Sequence, residues 1–165
     1  DADVASLVAY LRQMPVASGG GAQIEFPLVV RALYGVGLVK DAAERIDHSL
    51  PAAQPVPEAV TPAHGAYVAN SCLGCHGAAL SGGPIPGAPP EWPAAANLTP
   101  GAGSAMARYP TAESFVAMFR SGKRPDGSAV SSVMPFASLK EMNDTDVQAL
   151  YLHLKALPAH ATGKH

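Results

Sequence analysis

The stretch CLGCH, Cys72 to His76, holds both cysteines of this 165-residue chain and constrains its fold more than any other feature. Two thiols separated by two residues, with an imidazole directly after them, fit three kinds of chemistry. A structural zinc site usually needs four Cys or His ligands, and the sequence offers neither a second CxxC nor a paired HxxxH. A thioredoxin-like redox pair needs a strand leading into the motif within a βαβ frame, and no strand pattern precedes Cys72. The reading that suits the whole motif is covalent attachment of a c-type haem. One helical turn carries Cys72 and Cys75 to the two vinyl groups of a porphyrin, and the adjacent His76 turns its imidazole toward the iron.

The rest of the chain agrees with a large prosthetic group. Charged residues make up only 15%, and 16 Gly and 16 Pro break the sequence into short islands of regular structure. The tract GGPIPGAPPEWPAAANLTPGAG, Gly82 to Gly103, is too long for a compact domain unless it has something to wrap around. A haem supplies that surface and becomes part of the core. A net charge of −2, a pI near 6.3 and the lack of any basic block exclude the electrostatic footprint of a nucleic-acid binder. No stretch reaches the roughly 20 apolar residues of a membrane span. FPLVVRALYGVGLV, Phe26 to Val39, is short and carries Arg31 and two Gly, so it reads as a surface segment. Asp1 and Asp3 stand where a leader would be basic, and the chain reads as mature, trimmed or cut from something longer.

Apolar periodicity predicts four helices. The opening DADVASLVAYLRQMP places Val4, Leu7, Val8 and Leu11 on one stripe that Pro15 closes. TPAHGAYVANSC, Thr61 to Cys72, has Thr61 to cap it and Pro62 at its first position. TAESFVAMFRSG, Thr111 to Gly122, repeats that design and ends on Gly. The last helix starts at Asn143, with Asp144 and Asp146 in its first turn, and buries Val147, Leu150, Tyr151, Leu154 and Leu157 before Pro158.

The sixth position on the iron has several candidate occupants. His48, His64, His153, His160 and His165 offer imidazoles; Met14, Met106, Met118, Met134 and Met142 offer thioethers. Met118 lies on an apolar helix face, as a core filler would, and Met106 is too near the motif to approach from the opposite side. Met134 sits in the loop SSVMPF, Ser131 to Phe136, where Pro135 stiffens the backbone and a thioether can be aimed without distorting a helix. His76 and Met134 are the expected ligand pair.

Together, GAYVANSCLGCHG, NLTP, RSGKRPDG, VMPF and NDTDVQALYLHLKALP resemble a monohaem class I c-type cytochrome domain. The likeness is to the C-terminal domain of bacterial dihaem and multihaem cytochromes c, or to the haem subunit of a membrane dehydrogenase. It covers Thr61 to about Pro158; GAGSAMARYP departs from the pattern. The resemblance implies an all-α, cytochrome c-like fold around one covalent haem c, with its first and last helices crossing near Gly65 and the Leu150 to Leu154 face. It also implies that Pro84, Pro86 or Pro89 supplies the carbonyl that orients Nδ1 of His76. The location it implies is the bacterial periplasm, soluble or peripheral to the inner membrane, with redox protein partners.

The expected function is one-electron transfer with His/Met ligation, as a carrier or as a haem subunit of a respiratory chain or dehydrogenase complex, not as an enzyme in itself. Two other classes compete: a gas- or ligand-binding haem sensor with a displaceable sixth ligand, and a catalytic haem site. Arg120, Lys123 and Arg124 form a docking patch, pair with haem propionates, or merely end a helix in solvent. The opening helix shares Asp, Val, two Leu and a closing Pro with Asp146 to Pro158. It reads as the last helix of a preceding cytochrome domain, or as an unrelated amphipathic helix. The expected organisation is that helix over 1–15, a linker with local helix over 16–60, the haem domain over 61–160 and a tail over 161–165. The stripe of the opening helix predicts association with the haem domain or a second copy, and the longer parent protein would be membrane-associated.

Overall fold

The computed structural model describes every residue except Asp1, Ala17, Ala42, Ala52, Ala102, Lys164 and His165. The candidate ligand His165 and the first residue of the opening segment therefore lie outside the described residues. The chain divides into two units, Asp1–Pro55 and Val56–His165. In the first, α1 spans Ala2–Gln13 and α2 spans Leu28–Gly35, starting after Pro27. No residue of α1 is buried; its stripe of Val4, Leu7, Val8 and Leu11 is 63%, 57%, 41% and 54% exposed.

The second unit is built on capped helices. Helix α3, Pro62–Ala69, begins where the Thr61 hydroxyl accepts the backbone N–H of His64 at 3.2 Å. A 3₁₀ turn, Asn70–Cys72, leads into α4, Leu73–His76. After a long loop and a second 3₁₀ turn, Ala105–Arg108, α5 runs over Ala112–Ser121. Thr111 and Ser114 close it in a reciprocal capping box, and Gly122 ends it in the left-handed region at φ 67°. Helix α6 is the single turn Phe136–Leu139, and α7 spans Asp144–Ala156, with the Asn143 side chain accepting Asp146 N–H at 2.7 Å. The described residues contain no strand, only isolated antiparallel bridges between Gly83 and Ala95 and between Lys123 and Ala129.

The core joins Val147, Leu150 and Leu154 of α7 to Phe115, Met118 and Phe119 of α5, with Leu80, Met106 and Tyr109. GAGSAMARYP, the stretch that departs from the resemblance, thus contributes two core side chains, Met106 and Tyr109. Tyr151 Oη donates to Pro110 O at 2.8 Å, so this buried phenol satisfies its hydroxyl while packing on Phe115. Helices α3 and α7 meet at Gly65. A Cβ there would lie 2.0 Å from Ala149 O and 2.7 Å from His153 Cβ, so only glycine permits the approach. The contact is made by Ala149 and His153, which leaves Leu150 and Leu154 free to fill the core. His64 Nε2 and Asp146 Oδ1, 2.7 Å apart, fasten the same crossing.

Candidate haem-binding site

The backbone from Ser71 to His76 is helical through a 3₁₀ turn and α4, so both cysteines project from about one turn. The two are not joined in a disulfide. Burial pushes the Cys72 thiol upward, partly countered by the Ser71 hydroxyl, while Cys75 is exposed. Gly77, at φ 76° and ψ 164°, turns the chain away directly after His76.

The imidazole of His76 is oriented by the following loop. Nδ1 donates to Ala96 O at 2.8 Å, which leaves the Nε2 lone pair free. Burial lowers the His76 pKa and the bond to Ala96 raises it in part, so the neutral ring is favoured. The resemblance implies a proline carbonyl at 84, 86 or 89 as the acceptor; the accepting carbonyl is that of Ala96 instead. The reason lies in how the loop doubles back. Gly83 and Ala95 exchange N–H···O bonds of 2.9 and 2.8 Å, and Gly82 N–H donates to His76 O at 2.9 Å. This doubling carries residue 96, well past the prolines, to the ring. Gly82 sits at φ 69° with Ala95 O only 2.3 Å from where a Cβ would be, so the crossing requires glycine.

NLTP forms a buried polar knot behind the loop. Asn97 Oδ1 accepts from Thr99 N and Oγ1, both at 2.8 Å, and Asn97 Nδ2 donates to His160 O at 2.8 Å. Residues following α7 are thereby tied across the loop. His160 is held by this knot, its own N–H donating to Thr99 Oγ1 at 3.1 Å.

A cavity of about 380 Å³ lies beside the motif, lined by Cys72, Cys75 and His76 from one segment and by Met134 from another. This is the volume range of small-molecule and cofactor sites. Met134 follows a turn closed by its N–H to Ser131 O at 3.1 Å. Pro135, at φ −78° and ψ 64°, then forms an inverse γ-turn in which Phe136 N–H donates to Met134 O at 2.8 Å. Met142 lines the cavity as well, although its sequence position before α7 gave no reason to single it out. Phe119, Leu139 and Leu150 complete much of the apolar wall, together with Arg124.

The other candidate ligands go elsewhere. Met106 and Met118 are buried in the core, at 1% and 5% exposure. His64 is paired with Asp146, and His153 lies on α7 beside Gly65. Met14 and His48 belong to the first unit. Two cysteines one turn apart, an anchored imidazole and an apolar slot fit a covalently attached haem.

A cytochrome c family model matches residues 61–158. The chain belongs to the cytochrome c family. Its cofactor is therefore a covalent c-type haem and its fold the all-α cytochrome c fold; its chemistry is electron transfer. Among curated proteins it is similar to the cytochrome c subunits of alcohol dehydrogenase (quinone) from Gluconacetobacter polyoxogenes and Komagataeibacter europaeus, each 37% identical over 95 residues. The match takes in 54% of this cytochrome c chain and spans 20% of each relative's length. No solved structure matches the chain. Among the described residues no helix is long and apolar enough to cross a membrane.

Proposed function

We propose that this cytochrome c is a one-electron carrier with His76 Nε2 and Met134 Sδ as axial ligands and Cys72 and Cys75 as the thioether anchors. The observation that carries this reading is the single cavity shared by both cysteines, His76 and Met134. The bound haem supplies an iron that cycles between ferric and ferrous states. The chain's residues do the rest. Ala96 fixes the His76 tautomer, the Pro135 turn presents the thioether, and Phe119, Leu139 and Leu150 exclude water. Methionine ligation in such an apolar wall favours the reduced state and raises the potential.

The likeness to dehydrogenase cytochrome subunits supports a role as the haem subunit, or one haem domain, of a bacterial dehydrogenase complex, with redox proteins as donor and acceptor. On this reading the protein works in the periplasm, soluble or at the inner membrane surface. The shared pattern of α1 and α7 supports assigning α1 as the terminal helix of a preceding cytochrome domain.

Carbon monoxide binding tests the carrier reading. The reduced protein should bind the gas slowly or not at all, while Met134→Ala should bind it quickly. Fast binding by the wild type would favour a ligand-binding sensor. Met142→Ala should behave as the wild type; rapid gas binding in that variant alone would move the sixth ligand to Met142.

A further inference from the structure

We propose that the segment following α7, residues 159–163, is a positioning strap for His76. It holds the Ala96 carbonyl against Nδ1 and thereby sets how strongly the imidazole donates to the iron; the proposal rests on His76 being a ligand of the covalent haem. The family match ends at residue 158, and the strap lies beyond it. Nδ1 of His76 donates to Ala96 O at 2.8 Å, and a firmer bond there makes the imidazole the better electron donor. Whatever fixes residue 96 therefore tunes the ligand.

The strap is tied on both sides of the crossing that delivers Ala96. On one side, Asn97 Nδ2 donates to His160 O at 2.8 Å and lies 3.5 Å from Thr162 Oγ1, while Thr99 Oγ1 accepts His160 N–H at 3.1 Å. On the other, Gly163 N–H donates to Ser81 O at 3.2 Å, next to the Gly82 whose N–H holds His76 O. Between them, Leu98 N–H donates to Leu80 O at 2.9 Å. Gly101 lets the strap lie close, since a Cβ there would stand 3.2 Å from Ala159 Cβ.

Two features make the crossing depend on these ties. Asn97, Thr99 and Ser81 are all buried, and Asn97 Nδ2 directs its hydrogens to the strap. Without the strap that amide is left unpaired in the interior, and the loop must open to water to satisfy it. Leu80, at φ 54°, is the one non-glycine residue with positive φ among the described residues. A side chain in that conformation persists only where its surroundings hold it, and Ser81, its neighbour, is where the strap attaches. Ala96 lies between Asn97 and the Ala95 that is bridged to Gly83, so relaxation on either side draws its carbonyl away from Nδ1. The imidazole then donates less, and the ferrous state gains.

The test takes two readings on the holoprotein: hydrogen exchange of the His76 Nδ1 proton by NMR, and the reduction potential. It compares the wild type with Thr99→Val, Thr99→Ser, Thr111→Ala and a chain shortened to end at Ala159. Thr99→Val keeps the side-chain shape and removes the hydroxyl. That variant and the shortened chain should exchange the proton about tenfold faster. Both should favour reduction about threefold, a rise of about 28 mV for one electron. Thr99→Ser keeps the hydroxyl and should match the wild type, as should Thr111→Ala, whose cap lies on α5. A potential that stays or falls in either strap variant, an Nδ1 proton exchanging at the wild-type rate, or an equal change in Thr99→Ser or Thr111→Ala overturns the proposal. If neither strap variant matures, the wild type decides. Its His160 N–H, Gly163 N–H and His76 Nδ1–H should exchange with one denaturant dependence; an Nδ1 proton still protected while the strap protons exchange contradicts the proposal. The ring-current-shifted imidazole signals of the ferrous protein report ligation by His76 on the same samples, so a failure of that assignment is distinguishable from a failure of the strap.

Discussion

Helices α1 and α7 share one pattern and meet opposite fates. With an offset of 143 positions, Asp3, Val4, Leu7, Leu11 and Pro15 match Asp146, Val147, Leu150, Leu154 and Pro158. Yet Val147, Leu150 and Leu154 are 0%, 1% and 0% exposed, whereas Val4, Leu7 and Leu11 are 63%, 57% and 54% exposed. An apolar stripe specifies which face a helix can bury; burial itself is supplied by what lies opposite. For α7 the opposing surfaces are α3, brought close by Gly65, and the aromatic face of α5.

The largest expected effect comes from breaking the approach that α7 depends on. Gly65→Ala puts a methyl group 2.0 Å from Ala149 O, where backbone cannot yield cheaply. It should cost about 3–5 kcal/mol or abolish folding of the second unit, as read by denaturant unfolding of the holoprotein. Next in size is a paired truncation at equivalent stripe positions. Leu154→Ala should cost about 2–5 kcal/mol, and Leu11→Ala should stay within about 0.5 kcal/mol. Equal losses at the two sites would show that α1 is buried in the protein as it exists in solution, which is the association its stripe suggests. The smallest effect is at a cap. Thr111→Ala removes the hydroxyl that accepts Ser114 N–H at 3.3 Å and should cost about 1 kcal/mol. Thermal unfolding of that variant should show a modest shift and an unchanged haem spectrum.

What the sequence made legible was local. Thr61, Thr111 and Asn143 cap helices because a side-chain oxygen before an apolar run can reach only the first N–H groups of that run. The spacing of Cys72, Cys75 and His76 states its chemistry within one turn. Met134 was separable from Met118 by the same kind of reasoning, loop against helix face. The misses were matters of long-range chain path. The carbonyl for His76 was sought among prolines, but the Gly83 and Ala95 exchange shifts the approach to Ala96. Nothing in the spacing of Met142 or Arg124 shows that they reach the same wall as residues some 50 to 70 positions earlier. Likewise Arg120 and Arg124 are indistinguishable by composition. They differ because one is claimed by Lys140 and Asp144 and the other faces the cavity.

The central claim is that this cavity holds a haem ligated by His76 and Met134. The ferric absorption spectrum of the purified holoprotein, compared with those of Met134→Ala and Met142→Ala, tests it most directly. The account predicts a methionine-to-iron charge-transfer band in the wild type and in Met142→Ala that disappears in Met134→Ala. A band that survives in Met134→Ala, or one missing from the wild type, would contradict it.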